Sequence, residues 1–208
     1  MSLTVSHLTA PSEQSSGNPN DLVWRLSVEQ YHEMIRAGIL TSDDPVELLE
    51  GWLICKMSKN PRHTLTRQLT RQALEAIAPA GWYVNTQEPI TLDDSEPEPD
   101  VMLIRGEARH FLDHHPGPGE LALVVEVAEA SLERDRGVKK RLYARGGIAV
   151  YWIINLRKRM IEVYSEPSGL ADEPDYRQHQ DYGLEDSVPV VVEGREVGRV
   201  AVRELLPG

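Results

Sequence analysis

The sequence is poor in several things, and each shortage removes a class of protein. One Cys, Cys55, stands among 208 residues, so no internal disulfide can form. That fits a reducing cytoplasm, with Cys55 expected to be buried. No apolar run approaches the roughly 20 residues that cross a bilayer. Residues 1–21 are polar, rich in Ser, Pro and Asn, and hold no apolar stretch of a secretory signal. They read as a disordered leader. Basic charge is also scarce. Lys and Arg number 22 against 33 Asp and Glu, a net charge of −11, which opposes DNA binding driven by overall charge. A Walker-type phosphate loop and a G-x-S-x-G elbow are both absent, which leaves those routes to nucleotide hydrolysis and acyl transfer without support. Phe occurs once, and four Trp and seven Tyr carry the aromatic bulk.

What is present suits one α/β unit over residues 22–208, with no internal repeat and no second core. Ser27 and Gln30 have the spacing of a capping box, and Gly38 fits the stop of the helix they open. Val46 to Met57 reads as a β-hairpin around Gly51. Pro61 precedes a helix to about Ala78, with Leu65, Leu69, Ala73, Leu74 and Ile77 on its apolar face. Short strands are expected at Trp82 to Gln87 and Ile90 to Leu92, and a further strand from Pro99 to Ile104. Residues from Glu107 to Leu112 suggest a short helix. Leu121 to Val127 is dense in aliphatics, as a central strand buried on both faces must be. A helix from Ser131 to Arg145 ends at Gly146 and Gly147. Strands follow at Ala149 to Ile154 and Met160 to Tyr164. Beyond Pro167 come β-hairpins: Tyr176 to Asp181, Val188 to Val192 and Arg195 to Val202, with a turn signal at Glu193 and Gly194.

Two carboxylates stand out. Asp100 opens a strand. Glu126 lies inside Val124-Val125-Glu126-Val127, where a carboxylate must meet a partner or bear a large desolvation cost. Two carboxylates on adjacent strands can share a hard divalent cation such as Mg²⁺. A Lys nearby, such as Lys139 on the following helix, can orient water or stabilise developing charge.

The segments Glu96-Pro97-Glu98-Pro99-Asp100, Leu123-Val124-Val125-Glu126-Val127, Ser131 through Lys139, and Leu142 through Ile153 together resemble the Uma-type (Uma-two) putative restriction endonuclease family of the PD-(D/E)XK nuclease superfamily. Val46 to Gly51, Pro61 to His63 and Glu162 to Tyr164 extend the resemblance over most of the chain. It implies a restriction-endonuclease-like fold, a central mixed β-sheet flanked by helices, with the C-terminal β-hairpins added. It implies a metal-dependent endonuclease acting on DNA, with Mg²⁺ or in its place Mn²⁺. Asp100 and Glu126 match the two acidic positions. The superfamily usually carries Lys two residues after the second acid, but Ala128 stands there, and Lys139 matches the lysine supplied from the helix, with Lys140 as its neighbour and competitor. Glu47 and His63 match further polar positions of the cleft, with Glu50 as an alternative to Glu47. Glu47 is a third expected metal ligand. A non-catalytic module on the same scaffold, and a hydrolase of RNA or nucleotides, are the competing readings.

Two other clusters are noted. His110, His114 and His115 sit in a Pro/Gly-rich loop whose spacing is no zinc pattern, so a solvated loop is expected. Arg134, Arg136, Lys139, Lys140, Arg141 and Arg145 form a basic run, either a solvated helix face or, beside the acidic site, a grip on phosphates. Exposed edges of the C-terminal hairpins suggest a homodimer, in which paired sites would suit double-strand cleavage.

Overall fold

The computed structural model describes residues 23–41 and 43–206. The leader expected at residues 1–21 lies outside the described residues. Helix α1 (Val28–Arg36) opens as its capping box requires: the Ser27 hydroxyl accepts from the Gln30 N–H, and the Gln30 side chain accepts from the Ser27 N–H. Strands β1 (Val46–Leu49) and β2 (Trp52–Cys55) pair antiparallel. Glu50 and Gly51 link them with φ of 50° and 79°, the left-handed pair of a type I′ turn. Gly51 is also hemmed in. A Cβ there would stand 2.6 Å from Arg25 Cβ and 3.0 Å from the Leu26 carbonyl oxygen.

Helix α2 (Pro61–Ile77) starts with Asn60 as cap and Pro61 at its first position. Its buried residues are Thr66, Thr70 and Leu74, while the expected Leu65 is 43% exposed. The physical reason is that threonine can hide. Its methyl packs as an apolar group, and the Thr70 hydroxyl donates back to the Thr66 carbonyl at 2.8 Å.

The central sheet has six strands: β3 (Trp82–Asn85), β4 (Val101–Arg105), β5 (Leu121–Ala128), β6 (Val150–Asn155), β7 (Met160–Pro167) and β8 (Tyr176–Tyr182). They lie in that order across the sheet. Only β5 and β6 run parallel, so the sheet is mixed. A parallel pair needs a crossover. Here it is α3 (Leu132–Arg134), a π turn (Asp135–Lys139) and α4 (Lys140–Gly146), closed by Gly147 at φ 77°. Every residue of β5 and β6 is buried, as the aliphatic runs require.

Alternation along these strands divides the core in two. Val101, Leu103, Leu123, Val125, Val127, Trp152 and Ile154 face α2 and a C-terminal hairpin, β9 (Ser187–Val192) with β10 (Arg195–Ala201), and then α5 (Val202–Leu205). Met102, Ile104, Val124, Ala128, Tyr151 and Ile153 face α4 and the β1–β2 hairpin. Asp100 and Glu126 share the parity of this second set, so both carboxylates point to the α4 side.

Three expectations need correction. Ile90 to Leu92 is not a strand. Ile90 and Leu92 donate to the carbonyls of Pro97 and Ser95, but Pro97 has no N–H to return, and the ladder cannot continue. Residues 176–182 do not form a separate hairpin: β8 pairs with β7 as the sixth strand. Cys55 is exposed, because β2 turns Trp52 and Ile54 inward and Cys55 outward. No helix among the described residues is long and apolar enough to cross a membrane.

The crowding at Gly51 makes a test of the hairpin that carries Glu47. Gly51→Ala should lower unfolding stability by about 1–3 kcal/mol, because a Cβ meets backbone at a positive φ. Urea unfolding measures it, and an unchanged midpoint would mean the turn relaxes freely.

Candidate active site

Strands β4 and β5 set the site. Their register pairs Val101 with Val125. One step further along that register places Asp100 opposite Glu126, on one face, at the separation of cross-strand neighbours. Asp100 Oδ2 accepts the Val127 N–H at 2.9 Å and meets His63 Nε2 at 3.0 Å. Glu126 Oε1 accepts from Lys139 Nζ at 2.9 Å and from the Tyr143 hydroxyl at 2.8 Å. Asp100 Oδ1 and Glu126 Oε2 take no hydrogen bond from the described residues. Each acid is thus fixed by one oxygen and free at the other.

Glu47, from β1, joins them. Its Oε2 lies 3.2 Å from Lys139 Nζ and accepts the Glu98 N–H at 3.2 Å. His63 stands in the first turn of α2, where the Asn60 side chain accepts its N–H. With Nε2 engaged by Asp100, His63 Nδ1 is a buried atom without a partner. Glu47, His63, Asp100, Glu126 and Lys139 all line one cleft of about 90 Å³, room for several water-sized groups. The structure therefore brings together all five residues singled out in the sequence.

It also separates the alternatives. Glu50 is held by Arg141 through two bonds of 2.9 and 2.7 Å, outside the cleft. Lys140 pairs with Asp175 at 2.8 Å and lies over the Tyr164 ring. Of the basic run, Arg136 is bonded to Glu162, Arg141 to Glu50 and Arg145 to Asp94. Those residues are taken up by internal pairs, so the run is not a phosphate-binding face. Only Arg134 and Lys139 reach the cleft. Its other cations, Lys56 and Lys59, come from the segment after β2, which the sequence reading passed over. His114 and His115 border a different hollow beside His32, and His110 Nδ1 faces the Glu107 N–H.

Two residues of the site escaped the sequence reading. Asp135 is buried, accepts the Ser131 hydroxyl at 2.7 Å and lines the cleft. Tyr143 is fully buried and fixes Glu126. Both stand four residues from Lys139, so helical spacing alone could have flagged them.

The electrostatics are those of an acid-rich, desolvated site. Burial pushes the Glu126 carboxyl up to about 8, against the opposing pull of Lys139, with Asp135, Asp100 and Glu47 adding to the rise. Asp135 is pushed up to about 6, again by burial, with Lys139 and Ser131 opposing. Burial works against the charge of Lys139, but Glu126, Glu47 and Asp135 outweigh it and hold the ammonium above the usual lysine range. Burial thus disfavours charge on Glu126 and Asp135, and a divalent cation beside them would favour their ionised forms. The donor set, all hard oxygen, fits Mg²⁺ or Mn²⁺. As the side chains stand, no three His, Cys, Asp or Glu among the described residues are disposed to hold a metal ion. Two of the acids are turned onto Lys139 instead.

The raised Glu126 has a stability signature. Its unfolded value is about 4.3, so from roughly pH 4 to 8 the unfolded chain gives up this proton before the folded one does. Stability from this group is full below about pH 4 and is lost as pH rises through about 8. Glu126→Gln cannot titrate. Measured by urea unfolding, wild type should therefore lose stability relative to Glu126→Gln between about pH 5 and 8, by an amount on the order of a few kcal/mol. A difference that stays flat over that interval would show that folding does not perturb Glu126.

The chain matches the family model Uma2, described as putative restriction endonuclease, over residues 28–198. No curated protein matches it. Among solved structures it is similar to the crystal structure of a putative nuclease belonging to DUF820 from Anabaena variabilis ATCC 29413. The TM-score is 0.67 and the identity 14%, with 86% of this chain and 97% of that one covered. At that identity the likeness speaks for the fold, the restriction-endonuclease-like α/β arrangement. The family match spans most of the described residues, and on that ground this chain belongs to the Uma2 family of putative restriction endonucleases.

Proposed function

We propose that the chain is a divalent-cation-dependent endonuclease that hydrolyses phosphodiester bonds in DNA. The observation that carries this reading is the opposed pair Asp100 and Glu126, each with one oxygen fixed and one free, beside a buried Lys139. Asp100 and Glu126 would hold Mg²⁺, with Glu47 as third ligand once it turns from Lys139. Mn²⁺ would substitute. Such an ion polarises a phosphodiester and lowers the pKa of a bound water. Lys139 keeps its proton at Nζ and offers positive charge to an anionic phosphorane. Asp100 holds His63 through Nε2 at 3.0 Å, which would fix the ring beside the metal-binding acids. Lys56, Lys59 and Arg134 also line the cleft, with Lys56 paired to Glu98 and Arg134 to Glu47, so in a chain of charge −11 the divalent cation would carry much of the attraction for phosphate.

A non-catalytic module is the second reading, and one observation favours it. Lys139 already occupies oxygens that a metal would need. Calorimetry with Mg²⁺ and Mn²⁺ separates the two, since absence of metal affinity supports the module.

The decisive assay incubates the purified chain with Mg²⁺ or Mn²⁺ and supercoiled, linear duplex and single-stranded DNA, with RNA as a further arm. DNA should be cut. Asp100→Asn and Glu126→Gln should each lose at least about 100-fold in rate, and Lys139→Met about 100- to 1,000-fold. No cleavage of any substrate, or undiminished cleavage by Asp100→Asn, ends the nuclease reading. Cleavage of RNA alone moves the substrate class.

A further inference from the structure

An acidic chain has carboxylates to spare for its cations, so the cations left unpaired are informative. Asp and Glu number 33 against 22 Lys and Arg, and most of the cations meet an acid. Even exposed ones do, as Arg36, Arg71, Arg105 and Arg203 show. Lys59, Arg62, Arg157 and Lys158 are exposed and have no ion-pair partner among the described residues. All four stand at the end of the sheet where the cleft opens. Arg25 lies over the Trp52 ring, and Arg67 is half-buried on α2. Arg177 and Arg195 are also unpaired, but at the other end. Arg177 follows Tyr176, which pairs with Pro167, the last residue of β7. Arg195 is two residues from Glu193, which bonds Arg105 at the far end of β4.

The strands fix where these cations sit. Leu156 is buried and donates its N–H to the Ala128 carbonyl at 3.0 Å, two residues beyond Glu126. Arg157 and Lys158 come next, at the tip of the β6–β7 turn between the paired residues Asn155 and Met160. By strand rise and spacing they stand about 10–15 Å from Glu126. Internal bonds hold the turn. The Lys158 N–H donates to Asn155 Oδ1 at 3.0 Å, and Asn155 Nδ2 donates to Glu162, which Arg136 clamps. On the other flank, Lys59 and Arg62 adjoin Asn60 and His63. Asn60 bonds Glu129, just beyond β5, and His63 meets Asp100. Of the acids in these segments, Glu129 is thus taken, and Glu133 is exposed beside Arg136.

We infer that Arg157 and Lys158 on one flank, and Lys59 and Arg62 on the other, bind the phosphates of a DNA backbone that crosses the cleft. The inference rests on the nuclease reading for the phosphate at Asp100 and Glu126, and it adds the surface that carries the rest of the strand. Each DNA strand places a phosphate about every 3.4 Å of helix axis. Flanks at the distances above therefore meet phosphates a few steps from the one to be cut. Contacts of this kind fix the position of the duplex and carry no sequence information. Exposed cations on a braced turn and a helix start suit that task. The basic run on the crossover does not, since Arg136, Arg141 and Arg145 are bonded to acids.

Fluorescence anisotropy tests it, with the full chain titrated into a labelled duplex of about 20 bp over about 25–150 mM salt. EDTA is present, so no metal-dependent cut occurs. Each lost phosphate contact lowers the slope of log Kd against log salt by about 0.9. Arg157→Ala/Lys158→Ala should lower it by about 1.8 and weaken binding about tenfold or more at the lowest salt. Lys59→Ala/Arg62→Ala should do the same. Arg157→Lys/Lys158→Arg keeps both charges and should keep the slope. Arg177→Ala/Arg195→Ala removes as much charge at the far end and should leave the slope unchanged. All six positions are exposed, and circular dichroism verifies that each variant stays folded. No binding by wild type at the lowest salt overturns the inference. So does a wild-type slope in either flank variant, or an equal loss in the far-end variant, which would mean that only overall charge matters. The cleavage assay judges the nuclease reading separately. A chain that binds with these slopes and never cuts ends that reading alone, and one that cuts while both flank variants keep the wild-type slope ends this one alone.

Discussion

The buried ammonium of Lys139, 2.9 Å from Glu126 and 3.2 Å from Glu47, is the contact on which the site depends. An acid in the middle of a strand buried on both faces is tolerable only with a partner that also lacks water. Lys139 supplies that partner for two acids on two different elements, β1 and β5. In doing so it ties the small β1–β2 hairpin to the large sheet. The match is incomplete: Arg134 lies 3.7 Å from Glu47 and His63 3.0 Å from Asp100, yet burial still pushes Glu126 up to about 8 and Asp135 up to about 6. On the proposed reading, the incompleteness leaves acids that would gain from a divalent charge in the cleft.

The rest of the chain keeps other cations away from this cleft. Arg136 makes two bonds to Glu162, at 2.8 and 2.6 Å, and Glu162 also accepts from Asn155 and Tyr164. Hydrogen bonding to Arg136 and these neighbours holds Glu162 below the usual carboxylate range despite its burial. Arg141 and Arg145 are drawn to Glu50 and Asp94 in the same manner. An excess of acid over base is therefore spent locally, on pairs that fix the crossover between β5 and β6. Positive charge at the cleft comes instead from Lys56, Lys59 and Arg134.

Much of the fold could be read because it rests on local rules. The capping box at Ser27, the hairpin at Gly51, and the aliphatic runs of β5 and β6 each follow from a few neighbouring residues. The features that could not be read depend on distant partners. Whether Tyr176 to Asp181 closes on itself or adds to β7 is decided by the sheet, not by its own residues. The buried face of α2 runs through threonines, whose polarity in sequence conceals their packing. At the site, Asp100 and Glu126 were legible because a carboxylate in an apolar strand is conspicuous. Asp135 and Tyr143 were not, because an Asp and a Tyr on a helix have ordinary explanations until Lys139 is seen to point inward. The fate of the basic run was hidden for a similar reason: its acidic partners lie up to 91 residues away.

The π turn explains how three helical residues serve one site. In a straight α-helix, residues four apart advance by about 40° around the axis. Asp135, Lys139 and Tyr143 would then fan out by about 80°, and Asp135 and Tyr143 would flank the Lys139–Glu126 contact less closely. A π turn takes more residues per turn and so opposes this drift. It spans Asp135–Lys139, the interval where drift would otherwise begin. Its geometry is anchored from outside the helix. The Asp135 carbonyl accepts both the Lys140 N–H and the Tyr151 hydroxyl, the latter at 3.1 Å, while Arg136, one residue on, is clamped to β7 through Glu162. A sequence in which Gly137 relaxes the middle of the turn and both flanks are tied to the sheet can hold a local shape that helix propensity alone would straighten. The same constraint that positions Lys139 thereby positions Tyr143 behind Glu126 and Asp135 beside it, and the three strengthen one another's placement.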